Sequence, residues 1–189
     1  MFDLVVAFDF SMLQKGFNMP LRWHEERACR IGVIPRLGGT IHWFQIESCF
    51  IQNIANAYNE NEYTLIVDAV RYPWYLRVDL SKKQFDDNPL GVLWRYTINL
   101  RTGDVSEATI DDLGTELPRI DDLLVGHTYN YSYAAVQPTN EEIKGAVKYN
   151  LKKTNVRSST WRSKRRASLC GEAEPYFWGR WMVTRICLS

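Results

Sequence analysis

The sequence predicts an all-β protein, because it combines strand-like alternation and frequent turn residues with a lack of long amphipathic helical patterns. Apolar side chains recur at every second position in several segments, which is the period of a half-buried strand. Residues typical of turns separate these segments. Aromatic residues, which are enriched in strands, make up 13% of the chain. These observations favour a sandwich, a barrel or a propeller, and periodicity alone does not choose among the three.

The clearest element is a β-hairpin whose turn lies at residues 101–104. Before it, residues 94–100 alternate between apolar and polar side chains. Gly103 can adopt the positive φ that a tight turn requires, and the strand returns from Val105. The apolar residues of the first strand are Trp94, Tyr96, Ile98 and Leu100.

Six further segments have the same character and are predicted as strands. The segment at Thr128–Val136 carries Tyr129, Tyr131 and Tyr133 at alternate positions, which places the three rings on one face. The best candidate for a helix, Cys49–Tyr58, is short and contains two asparagines. The predicted strands are Val5–Phe10, Arg30–Ile34, Ile41–Ile46, Thr64–Val70, Thr128–Val136 and Ala146–Leu151.

The charge changes near residue 157. From Arg157 to Ser189 there are seven Lys or Arg and two Asp or Glu, whereas the preceding 156 residues hold 16 basic and 20 acidic residues. The alternation also breaks at residues 157–166. The sequence therefore predicts a strand-rich part, residues 1–156, and a divergent basic tail, residues 157–189. We expect the tail to result from a truncated or frame-shifted gene model. A genuine divergent tail is the alternative.

Composition and charge point to no nucleic-acid or membrane-spanning role. The formal net charge is +1, so no overall field recruits nucleic acid, and the basic run at residues 162–166 lacks interleaved aromatic residues. The apolar run at residues 4–8 is bracketed by Asp3 and Asp9 and lacks the flanks of a signal peptide. We therefore expect a cytoplasmic chain whose four cysteines, none in a Cys-x-x-Cys pair, are reduced and mostly buried.

Common catalytic and metal-binding motifs are absent from the sequence. There is no nucleophile elbow, phosphate-binding loop, zinc-binding His-Glu-x-x-His or dinucleotide fingerprint. The paired aspartates at residues 86–87, 111–112 and 121–122 lack the spacing of a calcium loop, so we interpret them as solvated loop carboxylates. His24, His42 and His127 are not spaced as metal ligands, and ordinary surface or strand histidines are the favoured interpretation.

Five short motifs, taken in order, resemble the carotenoid cleavage dioxygenase family, also called the retinal pigment epithelial membrane protein family. They agree with the family in order and spacing over residues 3–152. An unrelated all-β domain is the alternative. The motifs are Arg30-Ile31-Gly32-Val33-Ile34-Pro35-Arg36, Trp43-Phe44, residues 49–58, Leu93-Trp94-Arg95-Tyr96 with Thr102-Gly103, and Glu116-Leu117-Pro118-Arg119-Ile120.

The resemblance implies a seven-bladed β-propeller with an Fe(II) ion on its axis. Four histidines would hold this metal ion, and three glutamates would orient their imidazoles. Members of the family add O2 across a double bond of a carotenoid, apocarotenoid or stilbene to give two carbonyl products. An apolar tunnel would hold the polyene, and the abundant aromatic residues suit either such a lining or an ordinary core.

The resemblance assigns three residues of this chain to the metal site. Asn53 stands where the family has an iron-ligating histidine, so one ligand is expected to be lost or replaced. Glu116 matches one of the orienting glutamates, and Glu172 resembles a second. The other family histidines have no counterpart in these 189 residues. We therefore expect that this chain alone binds no Fe(II).

Length predicts an incomplete ring. At roughly 40–50 residues for each four-stranded blade, the 189 residues hold about three to four of the seven blades. Two functions follow as alternatives. One is an iron-dependent, polyene-cleaving oxidoreductase in carotenoid catabolism, active only in a complete protein that has peripheral membrane contact. The other is a non-catalytic propeller piece or pseudoenzyme that binds an apolar ligand or a partner protein.

Overall fold

The computed structural model describes residues 1–152 and the backbone of residues 157–162, and this part is almost entirely β-structure. One four-residue α-helix, α1 (Ser11–Gln14), and a 3₁₀ turn at Asp122–Leu124 are the helical segments of this part. The all-β prediction is confirmed. The strands are β1 (Phe2–Asp3), β2 (Val6–Phe8), β3 (Leu21–Trp23), β4 (Cys29–Val33), β5 (His42–Ile46), β6 (Phe50–Asn59), β7 (Thr64–Tyr72), β8 (Val78–Asp79), β9 (Gln84–Phe85), β10 (Val92–Asn99), β11 (Val105–Arg119), β12 (Tyr131–Val136), β13 (Gly145–Asn150) and β14 (Arg157–Arg162).

The strands form two main antiparallel sheets and two small ribbons. The larger sheet has seven strands in the order β14-β13-β12-β11-β10-β7-β6, and the smaller one has the order β1-β4-β5. The ribbons are β2-β3 and β8-β9. Most neighbours in the sheets are also consecutive or nearly so in the chain, which is the arrangement of a β-meander. The predicted hairpin is confirmed, since Ile98 pairs with Val105 and Arg95 with Ala108.

A shared apolar core joins the two sheets. Phe44 and Ile46 of the smaller sheet pack with Val67, Ala69 and Ile98 of the larger sheet, all of them buried. Because alternate residues of β10 point to opposite faces, the same strand also contributes to a second core. The buried members of that core are Leu93, Ala134, Val136, Val147 and Tyr149. Both faces of β10 therefore contribute to packing, Tyr96 and Ile98 to the core that joins the sheets and Leu93 to the second core.

The structure corrects two of the predictions about strands and faces. The segment predicted as a strand at Val5–Phe10 is a strand only at Val6–Phe8, because the chain turns into α1 directly afterwards. The three tyrosines predicted on one face separate. Tyr129 lies before β12 and is 4% exposed, whereas Tyr131 and Tyr133 are more than 40% exposed.

Cys29 and Cys49 lie side by side in the core that joins the sheets. Both are free and buried, as predicted, with their sulfur atoms 3.9 Å apart. The hydrogen bond to Cys29 and burial together raise the pKa of the Cys49 thiol above its ordinary value. Both side chains are buried in the core that joins the sheets, where they pack as small apolar residues. The other two cysteines and Glu172 lie outside the described residues, and the boundary at residue 157 stays a prediction.

Gly114 allows β11 to lie close to β12 and to the segment before β10. A Cβ atom at this position would lie 2.5 Å from the backbone oxygen of Gln137 and 2.8 Å from Leu90 Cδ1. We expect Gly114→Ala to lower the free energy of unfolding, measured by urea denaturation, by about 1–3 kcal/mol because the backbone must move. Ser106→Ala, at an exposed site of the same strand, should change it by less than about 0.5 kcal/mol. Equal stability of the two variants would contradict the close packing.

Candidate functional site

The strand β11 extends beyond the end of β10 and so brings Glu116 close to β7 and β6. It has 15 residues and β10 has 8, and Gly114 pairs with Val92, the first residue of β10. The residues that follow Gly114 therefore continue beyond β10. They reach the end of β7 and the first half of β6, although two strands separate β11 from β6 in the sheet order. This geometry brings Glu116 to Asn53.

Glu116 and Asn53 form a direct hydrogen bond across 63 residues of sequence. The Asn53 Nδ2 atom donates to Glu116 Oε2 at 2.6 Å. Sequence analysis assigned both residues to one metal site, and the structure places them in contact. A carboxylate and an amide N–H at this distance form a charge-assisted hydrogen bond, which is among the stronger kinds.

Two further donors hold the Glu116 carboxylate, which is 7% exposed. The Tyr72 hydroxyl donates to Oε1, and the Leu117 backbone N–H donates to Oε2 at 2.8 Å. Burial, together with the hydrogen bond to Glu116, raises the pKa of Tyr72 well above its ordinary value, so the hydroxyl keeps its proton and remains a donor. A buried carboxylate without donors would be very costly. The three donors offset that cost and fix the orientation of the side chain.

A bulge at Leu117 sets the direction of Glu116. Leu117 has φ of 54°, in the left-handed region that residues with a Cβ rarely adopt. The pairing of β11 with β12 shifts register between Glu116 and Arg119. Pro118 follows and has no N–H to offer the sheet, so it is tolerated at this irregular point. The strained backbone lets the Leu117 N–H turn back to the Glu116 side chain, a local contact that the strand pattern does not reveal.

A cavity of about 300 Å³ lies beside Glu116. Tyr72 and Tyr75 are its aromatic lining residues, and their rings pack edge-on. Phe50 stacks on Tyr75 with the ring centroids 4.5 Å apart. Amide side chains form much of the rest. They belong to Gln52, Asn88, Gln137 and Asn140. The immediate surroundings of Glu116 are thus more polar than the apolar tunnel expected from the resemblance.

Asn56 has a structural role that sequence analysis missed. It is buried, and its side chain holds the loop after the 3₁₀ turn. The amide nitrogen donates to the carbonyl oxygens of His127 (3.0 Å) and Leu124 (3.3 Å), and the amide oxygen accepts the Gly126 N–H at 3.0 Å. A buried asparagine that satisfies its own groups and several backbone groups of a loop fixes that loop firmly. The motif therefore contributes Asn53 to the contact with Glu116 and Asn56 to the anchoring of the loop. Only the assignment of Asn53 was predicted from the sequence.

The side chains gathered here do not match an iron site with several histidine ligands. In residues 1–152, no group of three or more His, Cys, Asp or Glu side chains is placed to hold a metal ion. The nitrogen of Asn53 is already a donor to Glu116, and its remaining oxygen is a carbonyl-type ligand that suits Mg²⁺, Ca²⁺ or Mn²⁺ better than the soft nitrogen-rich sites of iron oxygenases. His24 contacts Glu26, and His42 and His127 line another cavity. Within the described residues, no helix is long and apolar enough to cross a membrane.

Comparison with known proteins identifies relatives over most of the chain. The family model described as "Retinal pigment epithelial membrane protein" matches residues 1–178. A carotenoid cleavage oxygenase of Mycobacterium tuberculosis is 35% identical over 136 residues, which cover 69% of this chain and 27% of that protein. A carotenoid 9,10(9',10')-cleavage dioxygenase of Crocus sativus is 27% identical over 153 residues, which cover 79% of this chain and 28% of that protein. The chain thus spans little more than a quarter of these relatives.

Solved structures show the same fold. The cobalt-substituted ACO of Synechocystis superposes with a TM-score of 0.70 at 22% identity, covering 85% of this chain and 35% of that one. A mutant of the Synechocystis apocarotenoid oxygenase gives a TM-score of 0.71 at 21% identity with the same coverage. The predicted fold, part of a β-propeller that does not close within these residues, is confirmed by this likeness.

Proposed function

The chain belongs to the retinal pigment epithelial membrane protein family, and from that premise we propose that it is one sector of a polyene-cleaving oxygenase. In the complete protein, the substrate would be a carotenoid, an apocarotenoid or a stilbene-like compound, and O2 would be the second substrate. Relatives named for carotenoid, apocarotenoid and resveratrol cleavage support this range. The proposal extends to a cytoplasmic location with peripheral membrane contact.

The hydrogen bond between Asn53 and Glu116 carries the proposal. In the family, a histidine at this position donates its ring N–H to a glutamate, which fixes the tautomer and leaves the other ring nitrogen for the metal. Here the Asn53 amide makes the same donation at 2.6 Å. The amide keeps the contact to the carboxylate, but it lacks the second nitrogen through which an imidazole would bind a metal ion. The sector thus retains the glutamate that would orient a ligand while lacking the ligand itself.

We propose accordingly that these 189 residues bind no Fe(II) of their own and do not cleave a polyene. The resident metal of the family, when bound, supplies the position at which O2 reacts, and this chain's part is limited to the oriented carboxylate of Glu116. The second candidate is a non-catalytic role, in which the sector binds an apolar ligand or a partner chain. Asn53 in the histidine position is the observation that favours this candidate.

Asn53→His is the variant that tests the placing of residue 53. In a chain completed with the histidine-bearing segments that these residues lack, we expect it to raise the affinity for Fe(II), measured by anaerobic titration, by about tenfold or more, because Glu116 would orient the new imidazole. Adding Glu116→Gln should reverse most of that gain, since removal of such an orienting group typically costs about 10–100-fold in metal affinity. Ser106→His, at an exposed site of β11, is the matched control and should leave Fe(II) affinity unchanged.

Two results would contradict the proposal in different ways. If Asn53→His binds Fe(II) no better than Ser106→His does, residue 53 is not at a ligand position. If the unmodified chain consumes an apocarotenoid, seen as loss of polyene absorbance under air, the sector is catalytic on its own and the second part of the proposal fails.

A further inference from the structure

A second and larger cavity lies at the opposite end of β6 from Asn53. Its volume is about 800 Å³, within the range of pockets that hold small organic molecules. Tyr58 and Asn59, the last two residues of β6, line it. At about 3.3 Å per residue, these positions lie roughly 15–20 Å along the strand from Asn53. The cavity is thus separate from the Glu116 site, and nothing in the proposed function uses it.

Apolar side chains from both sheets form the walls of this cavity. Val33 and Phe44 come from β4 and β5 of the smaller sheet, and Leu65 comes from β7 of the larger one. Leu100 closes the wall at the hairpin turn after β10. Apolar walls from two sheets favour a hydrocarbon or aryl group, because its transfer from water gains free energy in proportion to the area that is covered.

Three basic side chains and three neutral polar ones, those of Tyr58, Asn59 and Thr128, also line the cavity. Arg36, His42 and His127 line it, and no Asp or Glu does. Arg36 is exposed to solvent, and among residues 1–152 no carboxylate lies within salt-bridge distance of its guanidinium. A guanidinium offers several N–H donors in a planar fork that fits a carboxylate. An unpaired arginine at an apolar cavity is therefore complementary to an anion.

The loop that carries His127 is held in place and is therefore suited to a binding site. The backbone carbonyl of His127 accepts a hydrogen bond from the Asn56 side chain, and the His127 N–H donates to the Leu124 carbonyl at 2.9 Å. Gly126 lies beside Arg36, since a Cβ atom there would lie 3.4 Å from the guanidinium. Preorganised groups lose less entropy when a ligand binds.

We infer that this cavity binds an amphipathic carboxylate, that is, a carboxylic acid with an apolar body. The carboxylate group pairs with Arg36, with His42 and His127 as further donors, and the apolar body lies against Val33, Phe44 and Leu65. A neutral polyene would leave the three basic groups without a partner, and a small inorganic anion would leave the apolar walls wet. The combination of walls and charge therefore selects a molecule that has both parts.

The test is calorimetric titration of the full 189-residue chain with decanoate. Decanol carries the hydrocarbon part without the charge, and acetate carries the charge without a long hydrocarbon part. We expect one decanoate site per chain, and binding of decanol and acetate at least about tenfold weaker. Arg36→Gln should weaken decanoate about tenfold or more, which is the size expected when a hydrogen-bonded charge is lost. Lys15→Gln, which removes one exposed charge elsewhere, is the matched control.

A second variant tests the walls. Ala57 lines the cavity from β6, and Ala57→Phe should occupy part of it and weaken binding of decanoate while urea denaturation shows an intact fold. Two results would overturn the inference: equal binding of decanoate and decanol, or decanoate binding that neither Arg36→Gln nor Ala57→Phe changes. The Glu116 site is untouched by these variants, so failure here is independent of the proposed function.

Discussion

Asp68→Asn should lower the free energy of unfolding by about 3–5 kcal/mol, the usual cost of breaking a buried ion pair from one side. Asp68 is fully buried in β7. Its two carboxylate oxygens accept from the Arg95 guanidinium at 2.7 Å each, and the Tyr129 hydroxyl donates to Oδ2 at 2.6 Å. An amide in this place carries no charge, so the guanidinium would lose its counterion in a partly desolvated site.

Urea denaturation with an unchanged slope is the measurement for this variant. In the unmodified protein, the hydrogen bond to Asp68 raises the pKa of Arg95. Arginine stays protonated in proteins even without such a partner, so the variant leaves the guanidinium charged. Asp87→Asn is the matched control, because Asp87 is exposed, and it should change the stability by less than about 0.5 kcal/mol. A loss below about 1 kcal/mol for Asp68→Asn would show that the three-residue cluster is not an important source of stability.

Ile98→Ala should lower the free energy of unfolding by about 2–5 kcal/mol, because it opens a cavity in the core that joins the two sheets. Ile98 is fully buried and packs in the cluster that includes Phe44 and Ile46 of the smaller sheet. The cost has two parts, the lost transfer of the side chain from water and the lost contacts around the cavity.

Ile54→Ala is the matched control for this core variant. Ile54 lies in β6 and is 51% exposed, so its truncation should cost less than about 0.5 kcal/mol when unfolding is followed by urea denaturation. If the two variants lost the same stability, the smaller sheet would not pack on the larger one as described, and the core would have to lie elsewhere.

The hairpin and the paired strands were predictable from the sequence, whereas β6 was not. Residues 94–100 alternate between apolar and polar side chains, and β10 pairs with regular register along β7. In β6 the register with β7 shifts twice, between Ile51 and Asn53 and between Ile54 and Asn56. Each shift moves the following side chains to the other face, so the period of two disappears from the sequence although the strand is ten residues long.

The residues of the site were predictable from the sequence, but the contact between them was not. Asn53 and Glu116 were singled out by motif, but their contact depends on β11 extending beyond β10, and Gly114 and Pro118 suggest a break at that point. The cavity with Arg36 and its two histidines was missed altogether. Its walls come from both sheets, and no spacing along the chain indicates that they meet.

The length of β11 has a consequence for how the molecule melts. Its first part is paired with β10, and its second part is paired with β12. In arrays of repeated modules each unit contacts only its neighbours, so the ends can open while the middle stays folded. Here the single strand β11 belongs both to the group that contains β10 and to the group that contains β12. Loss of either pairing frees part of β11. The groups are therefore coupled into one cooperative unit, whose parts do not behave as independent blades.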